Sequence, residues 1–394
     1  MNNRNIKGKT AVVGVGESAY YRHGESPDPE FVLTIQAILA AARHAGIDPK
    51  DIDGFVSFSD DRNTAMRVSA ALGVKELRWS TMQWGGGGAG GSGAVQQAAA
   101  AVASGFADTV VVYRGLAQGQ FGRFGGNQAP SGADSHRAAY GMNTAASILG
   151  TRVTRFFHET GIDPLTMRAV SLATYEHAQA NPRAVMYGKP LTAEKYDASR
   201  WICEPFRLFD CCQENDGAAA LIVTSAERAE ELTERPAYIL AAAQGGGHRS
   251  GAFNSNIYDS TAFASAEFRT IAGRLFSGAG LDPSDVDVVQ AYENFTGGVV
   301  MSLVEHGFCT PESANEVLTP GNLVASSGRL PLNTSGGNLA EAYIHGLELH
   351  VEAVRQIRRE SVNQVQDAKV SFVAAGPMVA PASSLIYGSK ETLS

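Results

Sequence analysis

The chain has 394 residues, 44% hydrophobic and 18% charged, with a net charge of −8. That composition suits two core-forming domains or one large duplicated one, and the acidic balance without a Lys/Arg run excludes a general nucleic-acid binder. No apolar stretch approaches the roughly 20 residues of a membrane helix, and the opening MNNRNIKGKT lacks a signal-type apolar segment, so a soluble cytoplasmic protein is expected.

In chain order, TAVVG (Thr10 to Gly14) reads as a buried strand and Glu30 to Ala45 as an amphipathic helix. The segment VVGVGESA (Val12 to Ala19) matches the dinucleotide pattern GxGxxA. That motif works only if a helix starts inside it and turns its N-terminus to a pyrophosphate. The polar, proline-broken YYRHGESPDP follows instead, so no nucleotide site is expected. A turn and a strand at Gly54 to Phe58 come next. The glycine-rich MQWGGGGAGGSGAV (Met82 to Val95) then leads to a helix in AVQQAAAAVASG and a strand in DTVVVYRG.

Asn127 to about Pro205 reads as an insertion of helices and long loops over a site. CCQENDGAAALIVTSAERA closes the first half with a strand and a helix capped by Ser225. The four cysteines, Cys203, Cys211, Cys212 and Cys309, form no CxxC pair, and the nine histidines are scattered. No metal site is expected, and the cysteines read as small buried or half-buried side chains.

The second half repeats the first. AGLDPSDVDVVQAYENF from Ala279 follows the pattern of AGIDPKDIDGFVSF from Ala45. NTSGGNLAEAYIHGLELHVEAVRQIRR is again a glycine turn opening a long helix, followed by the strand KVSFVAAG. Two such matches in one order predict an internal duplication, with halves at 1–235 and 236–394 and helices buried between their sheets.

Glycine runs give up backbone entropy and add no packing, so this one requires close approach to the backbone or unusual dihedrals. No GK[ST] ends it, which excludes a Walker loop. A glycine turn into a buried helix N-terminus is also where enzymes hold a nucleophile or an oxyanion.

With NTSGGNLAEAY, FRLFDCCQENDGAAALIVTS, HAQANP and VQAYENF, the chain resembles the thiolase superfamily, in its lipid-transfer (sterol-carrier-protein-type) branch, over nearly its whole length. The resemblance implies an α/β thiolase fold: duplicated βαβαβαββ halves in five layers, αβαβα, with a loop and helix insertion. Counting back along the helix, the thiolase nucleophilic cysteine falls on Gly88, with Gly91 as its turn glycine. The general-base histidine falls on Tyr343, and the NEAF motif on Tyr292-Glu293-Asn294-Phe295. SFVAAGPM, where a second cysteine belongs, has none.

Without a sulfur to hold an acyl group, Claisen chemistry and thiolysis are not expected. Two phenols in a largely dry site can instead serve as acid and base. The glycine turn and the Y-I-H-G segment at Tyr343 to Gly346 resemble the bacterial steroid side-chain aldolases of the same branch. That resemblance implies retro-aldol cleavage of a 17-hydroxy steroid acyl-CoA to a 17-keto steroid and propionyl-CoA or acetyl-CoA. Tyr343 is then the hydroxyl-side base and Tyr292 the partner acid or orienter, the reverse order staying open. His345, His248 and Asn294 are auxiliary candidates, and Gly88 and Gly91 would form the oxyanion and substrate turn. Glu293 and Glu341 read equally well as carboxylates with local partners.

No cofactor is implied beyond the coenzyme A that the substrate carries. The family implies a homodimeric core and a small DUF35 partner, an OB-fold with a zinc ribbon, together a heterotetramer. The alternatives are a non-catalytic acyl-CoA or lipid carrier and a thiolase-like scaffold subunit.

Overall fold

Strand β1, Thr10–Glu17, runs straight through both glycines of the dinucleotide-like segment, and no helix starts there. The glycines serve packing. A Cβ on Gly14 would stand 2.4 Å from the Ala41 carbonyl oxygen, and one on Gly16 would stand 2.2 Å from the Ala41 nitrogen. Both contacts come from helix α1, Glu30–Ala45, whose buried stripe of Leu33, Ala37, Ile38, Ala41, Ala42 and Ala45 lies on this strand. The computed structural model describes residues 6–84, 87–121, 134–247 and 263–393.

The first half continues with β2 (Gly54–Phe58), β3 (Trp79–Gln83), β4 (Thr109–Ala117) and β5 (Asn215–Ser225). The second contributes β6 (Ala237–Gly245), β7 (Val288–Ala291), β8 (Val370–Ala375) and β9 (Ala382–Gly388). Their spatial order is β7-β8-β9-β6-β1-β5-β4-β2-β3, with a two-residue strand, Tyr21–Arg22, beside β5.

Read outward from the middle, the two arms match. β1 and β6 meet antiparallel at Ala11–Tyr238 and Val12–Ala237. Each arm then has an antiparallel neighbour (β5 or β9), another antiparallel strand (β4 or β8), and a parallel one (β2 or β7). β3 lies parallel to β2, and its counterpart beside β7 is a single parallel bridge, Val289–Leu332.

The duplicated Asp-Pro turns are also alike. Gly46 and Gly280 both sit at φ 68°, a left-handed helix end that glycine adopts without strain, and Pro-led single turns follow at Pro49–Asp51 and Pro283–Asp285.

Helix α2, Gly90–Ala103, is built largely of glycine, alanine and valine, and it packs against strands of both halves. Small side chains let it fit between two sheets. It starts earlier than the sequence suggests, so Gly90, Gly91 and Gly93 lie in its first turns rather than ahead of it. In the insertion, α3 (Ala145–Thr160) and α4 (Leu165–Ala180) are the long helices; residues 127–133 of it are outside the described set.

Helices α5 (Ala272–Ala279) and α6 (Thr296–Glu305) cover the outer side of the second half. The last helix, α7 (Leu347–Arg358), joins α2 in the central layer. Here the sequence expectation needs correction. The glycine turn at Asn333 does not open directly into the long helix. A π-helical turn at Gly337–Glu341 and an extended stretch intervene, and α7 starts at Leu347. The layers are therefore α1, first sheet half, α2 with α7, second sheet half, and α5 with α6, the five-layered αβαβα arrangement that the sequence resemblance implies. Among the described residues, no helix is long and apolar enough to cross a membrane.

Candidate active site

Three segments converge where the central helices begin. Gly87–Ala89 forms a single turn ahead of α2, Tyr292 follows the end of β7, and Tyr343 lies in the extended stretch before α7. The Asn215 side-chain oxygen, at the start of β5, accepts the Tyr343 backbone N–H at 2.6 Å and fixes that stretch. The two phenolic oxygens are 2.6 Å apart, a short hydrogen bond, and the residues are 3% and 7% exposed.

Gly88 explains how a ring came to stand here. A Cβ at that position would lie 2.0 Å from Tyr292 Cε2 and 2.7 Å from its hydroxyl. Gly346, at φ 82°, receives the ring on another side, where a Cβ would be 2.6 Å from Cδ2. Tyr292 thus fills the volume that a side chain at position 88 would need. Gly91 lies elsewhere: a Cβ there would face His350 Nε2, Ala375 and the His345 carbonyl, not the phenols.

Burial pushes both phenols well above their ordinary pKa, because the low-dielectric surroundings penalise phenolate. On Tyr292 this is partly offset by the Tyr343 hydroxyl and the Gly88 backbone N–H. Tyr343 gains no such relief, since its partner tyrosine adds to the upward shift.

His345 packs edge-on against Tyr343, ring centroids 5.3 Å apart. Its Nδ1 accepts from Arg114, with Nε at 3.2 Å and a terminal guanidinium nitrogen at 3.1 Å. Burial first, then Arg114 and Arg62, hold its pKa well below the usual histidine value, so the ring is neutral. Its φ of 52° is unusual for a residue with a side chain, at a cost of about 1 kcal/mol or more.

Asn294 is turned to local use, its side-chain oxygen accepting the Phe295 N–H at 2.9 Å. His248 falls outside the described residues. Glu293 accepts from the Thr174 hydroxyl at 3.0 Å and the Asn338 N–H at 2.7 Å, and burial lifts its pKa to about 7. Glu341 accepts from the Asn181 side chain at 2.7 Å, and burial together with Glu17 also lifts it to about 7. These two carboxyls tie loops together.

Three participants are not legible in the sequence. Cys212 reads there as a plain buried side chain, yet it stands within electrostatic reach of both phenols. Burial drives its thiol well above the ordinary value, so it remains protonated and is no nucleophile. Glu348, in the first turn of α7, is fully buried and accepts from the Asn338 side chain; burial keeps its carboxyl protonated far above the usual range. Arg114 comes from the middle of β4, where a basic side chain breaks an otherwise apolar strand. That break is the one signal that could have marked it.

A separate cavity of about 360 Å³ beside α4 is lined by His177, Ser326 and Asn363 among others, but by neither tyrosine. His177 is committed to the backbone there, with Nδ1 against the Asn333 carbonyl at 3.2 Å and Nε2 accepting the Ala325 N–H at 2.9 Å.

Residues 250–389 match the family described as Thiolase C-terminal domain-like. The chain is 40% identical to the steroid side-chain-cleaving aldolase of Thermomonospora curvata over 97% of its own length and 98% of that protein. It is also 40% identical to the 17-hydroxy-3-oxo-4-pregnene-20-carboxyl-CoA lyase of Mycobacterium tuberculosis, over 97% of this chain and the whole of that one. Among solved structures, the Ltp2-ChsH2(DUF35) aldolase superposes with a TM-score of 0.88 at 38% identity, covering 98% of each chain.

Proposed function

Because the chain belongs to the thiolase-like steroid side-chain-cleaving aldolases, we propose that its two buried phenols run the retro-aldol cleavage of a steroid acyl-CoA as one proton relay. The protein is a carbon–carbon lyase acting on an acyl-CoA, and the proposed relay uses no cysteine. The observation that carries the relay is the 2.6 Å contact between the Tyr292 and Tyr343 hydroxyls.

The substrate's 17-hydroxyl gives its proton to the Tyr292 oxygen as Tyr292 passes its own to Tyr343 and Tyr343 passes its own to the α-carbon, all in one event, so neither phenol ever holds two protons. The C–O bond becomes a ketone as the bond to the α-carbon breaks. The released pair develops as thioester enolate and takes up the Tyr343 proton at its carbon. The products are a 17-keto steroid and propionyl-CoA or acetyl-CoA. Each tyrosine ends as it began, so neither carries a lasting charge. Raised phenol pKa values suit that course, since burial penalises separated charge.

The Gly88 N–H and the Tyr343 hydroxyl both support the Tyr292 oxygen. This favours Tyr292 on the hydroxyl side and Tyr343 on the carbon side, the second of the two orders open from the sequence. Glycine at 88 makes room for the Tyr292 ring, so the Gly88 N–H serves developing charge through the Tyr292 oxygen.

No cofactor is used beyond the coenzyme A of the substrate. The neighbour whose name includes a DUF35 chain supports an assembly of this chain with such a partner, on a homodimeric core. Four free thiols suit a reducing cytoplasm.

The test is mass spectrometry of products from a 17-hydroxy steroid acyl-CoA, with the chain and a DUF35-type partner present. Tyr292→Phe and Tyr343→Phe should each lower turnover roughly a hundredfold or more. Wild-type turnover in both variants would overturn the relay, and tight binding without product would favour a carrier.

A further inference from the structure

We infer that Arg114 is a positioning residue: it fixes His345 as a neutral ring with its proton on Nε2, so that Nε2–H holds the thioester oxygen as the enolate forms. The inference rests on the aldolase reading above and adds the group that receives the second substrate oxygen.

The tautomer follows from donor chemistry. A guanidinium only donates, and it contacts His345 Nδ1 from two of its nitrogens, at 3.2 and 3.1 Å. Nδ1 must therefore accept, which leaves the ring proton on Nε2. Arg114 is fully buried and is itself held from behind, by Asp61 at 3.1 Å and Asp60 at 3.2 Å. Asp61 in turn is tied down by the N–H groups of Asn63 and Gly115. Among the described residues, the charged and titratable groups around the ring include Arg114 on β4, Arg62, Asp60 and Asp61 in the loop after β2, and the two phenols. The two arginines oppose a second ring proton.

Position follows from the glycine turn. A Cβ on Gly87 would stand 4.0 Å from His345 Nε2 and 4.0 Å from the Tyr292 hydroxyl, so both groups face the same space. The hydroxyl and thioester oxygens of a β-hydroxyacyl thioester are 1,3-related and lie side by side when the chain folds for cleavage. Tyr292 then meets the first, and His345 the second. A neutral N–H donor suits an enolate oxygen because it adds no charge that would trap the product. The left-handed backbone at His345 turns the ring to this position, and strained backbone of this kind concentrates at functional sites.

The test uses the full chain labelled with 15N-histidine, with the His345 signal assigned by its loss in His345→Gln. Nδ1 should be unprotonated and Nε2 protonated, with no titration between pH 5.5 and 8. A proton on Nδ1, or a midpoint inside that range, would overturn the inference without any variant having to fold. Arg114→Gln should lower kcat about tenfold or more with little change in KM, and in the same 15N spectrum His345 should lose its single tautomer, since a glutamine can offer Nδ1 either a donor or an acceptor. Arg114→Lys, which still only donates, should restore the tautomer in part. Loss of kcat with the wild-type tautomer kept in Arg114→Gln would mean a merely structural role and overturn it. Failure of the aldolase reading shows separately, as absent product from the wild-type chain while the ring keeps its tautomer.

Discussion

Gly88 and Tyr292 form one exchange rather than two substitutions, because the ring occupies the space a side chain at 88 would take. Gly88→Ala should therefore displace the ring at a cost of about 1–3 kcal/mol in stability and lower turnover at least as much as loss of the phenol, measured by thermal unfolding and product assay. Counting along the helix from its alanine-glycine end locates position 88 in the sequence, and the glycine turn after Asn333 locates Tyr343. The residues that counting misses lie far apart in the chain. Arg114 is 231 positions from His345, and Cys212 reaches the phenols only through the fold. Gly91 is legible as a turn glycine but stands as the second residue of the helix, facing His350.

At the scale of elements, the strand and helix limits follow apolar periodicity closely, as at Glu30–Ala45 and Gly54–Phe58. Legibility fails where side-chain chemistry redirects the backbone. Nothing in NTSGGNLAEAY marks a π-turn, because it depends on Glu293 from another element accepting the Asn338 N–H. That contact has a pH signature. Glu293 is held protonated to about 7, above its unfolded value near 4.5, so the stability it supports is complete below pH 4.5 and falls as pH rises toward 7. Buried His177, held neutral down to about 4, works in the opposite sense, losing stability as pH falls below its unfolded value near 6.5. In Glu293→Gln the decline through pH 4.5–7 should shrink. Melting temperatures of variant and wild type should nearly coincide at pH 4.5 and diverge by pH 8, the variant being the more stable. A constant gap across that range would assign Glu293 a different protonation state.

For the whole molecule, the duplicated strand order is legible through two Asp-Pro turns and two glycine-led helices. What sequence leaves unread is how the halves divide the labour. The reading of a DUF35-type partner predicts that co-expression yields a complex whose mass by light scattering equals two copies of each chain. It also predicts that the lone chain is poorly active. Full turnover from the lone chain would count against an obligate partner.

The two arms of the sheet place equivalent loops at equivalent strand ends: Tyr292 follows β7, and Ser59 to Asp61 follow β2. One loop supplies a phenol, while its counterpart supplies the carboxylates that grip Arg114. A molecule that began as two like copies has therefore grown specialised, one copy keeping the reactive groups and the other becoming their scaffold of charge. Severing the chain between the copies would separate groups that only function when docked, so neither fragment is a smaller enzyme.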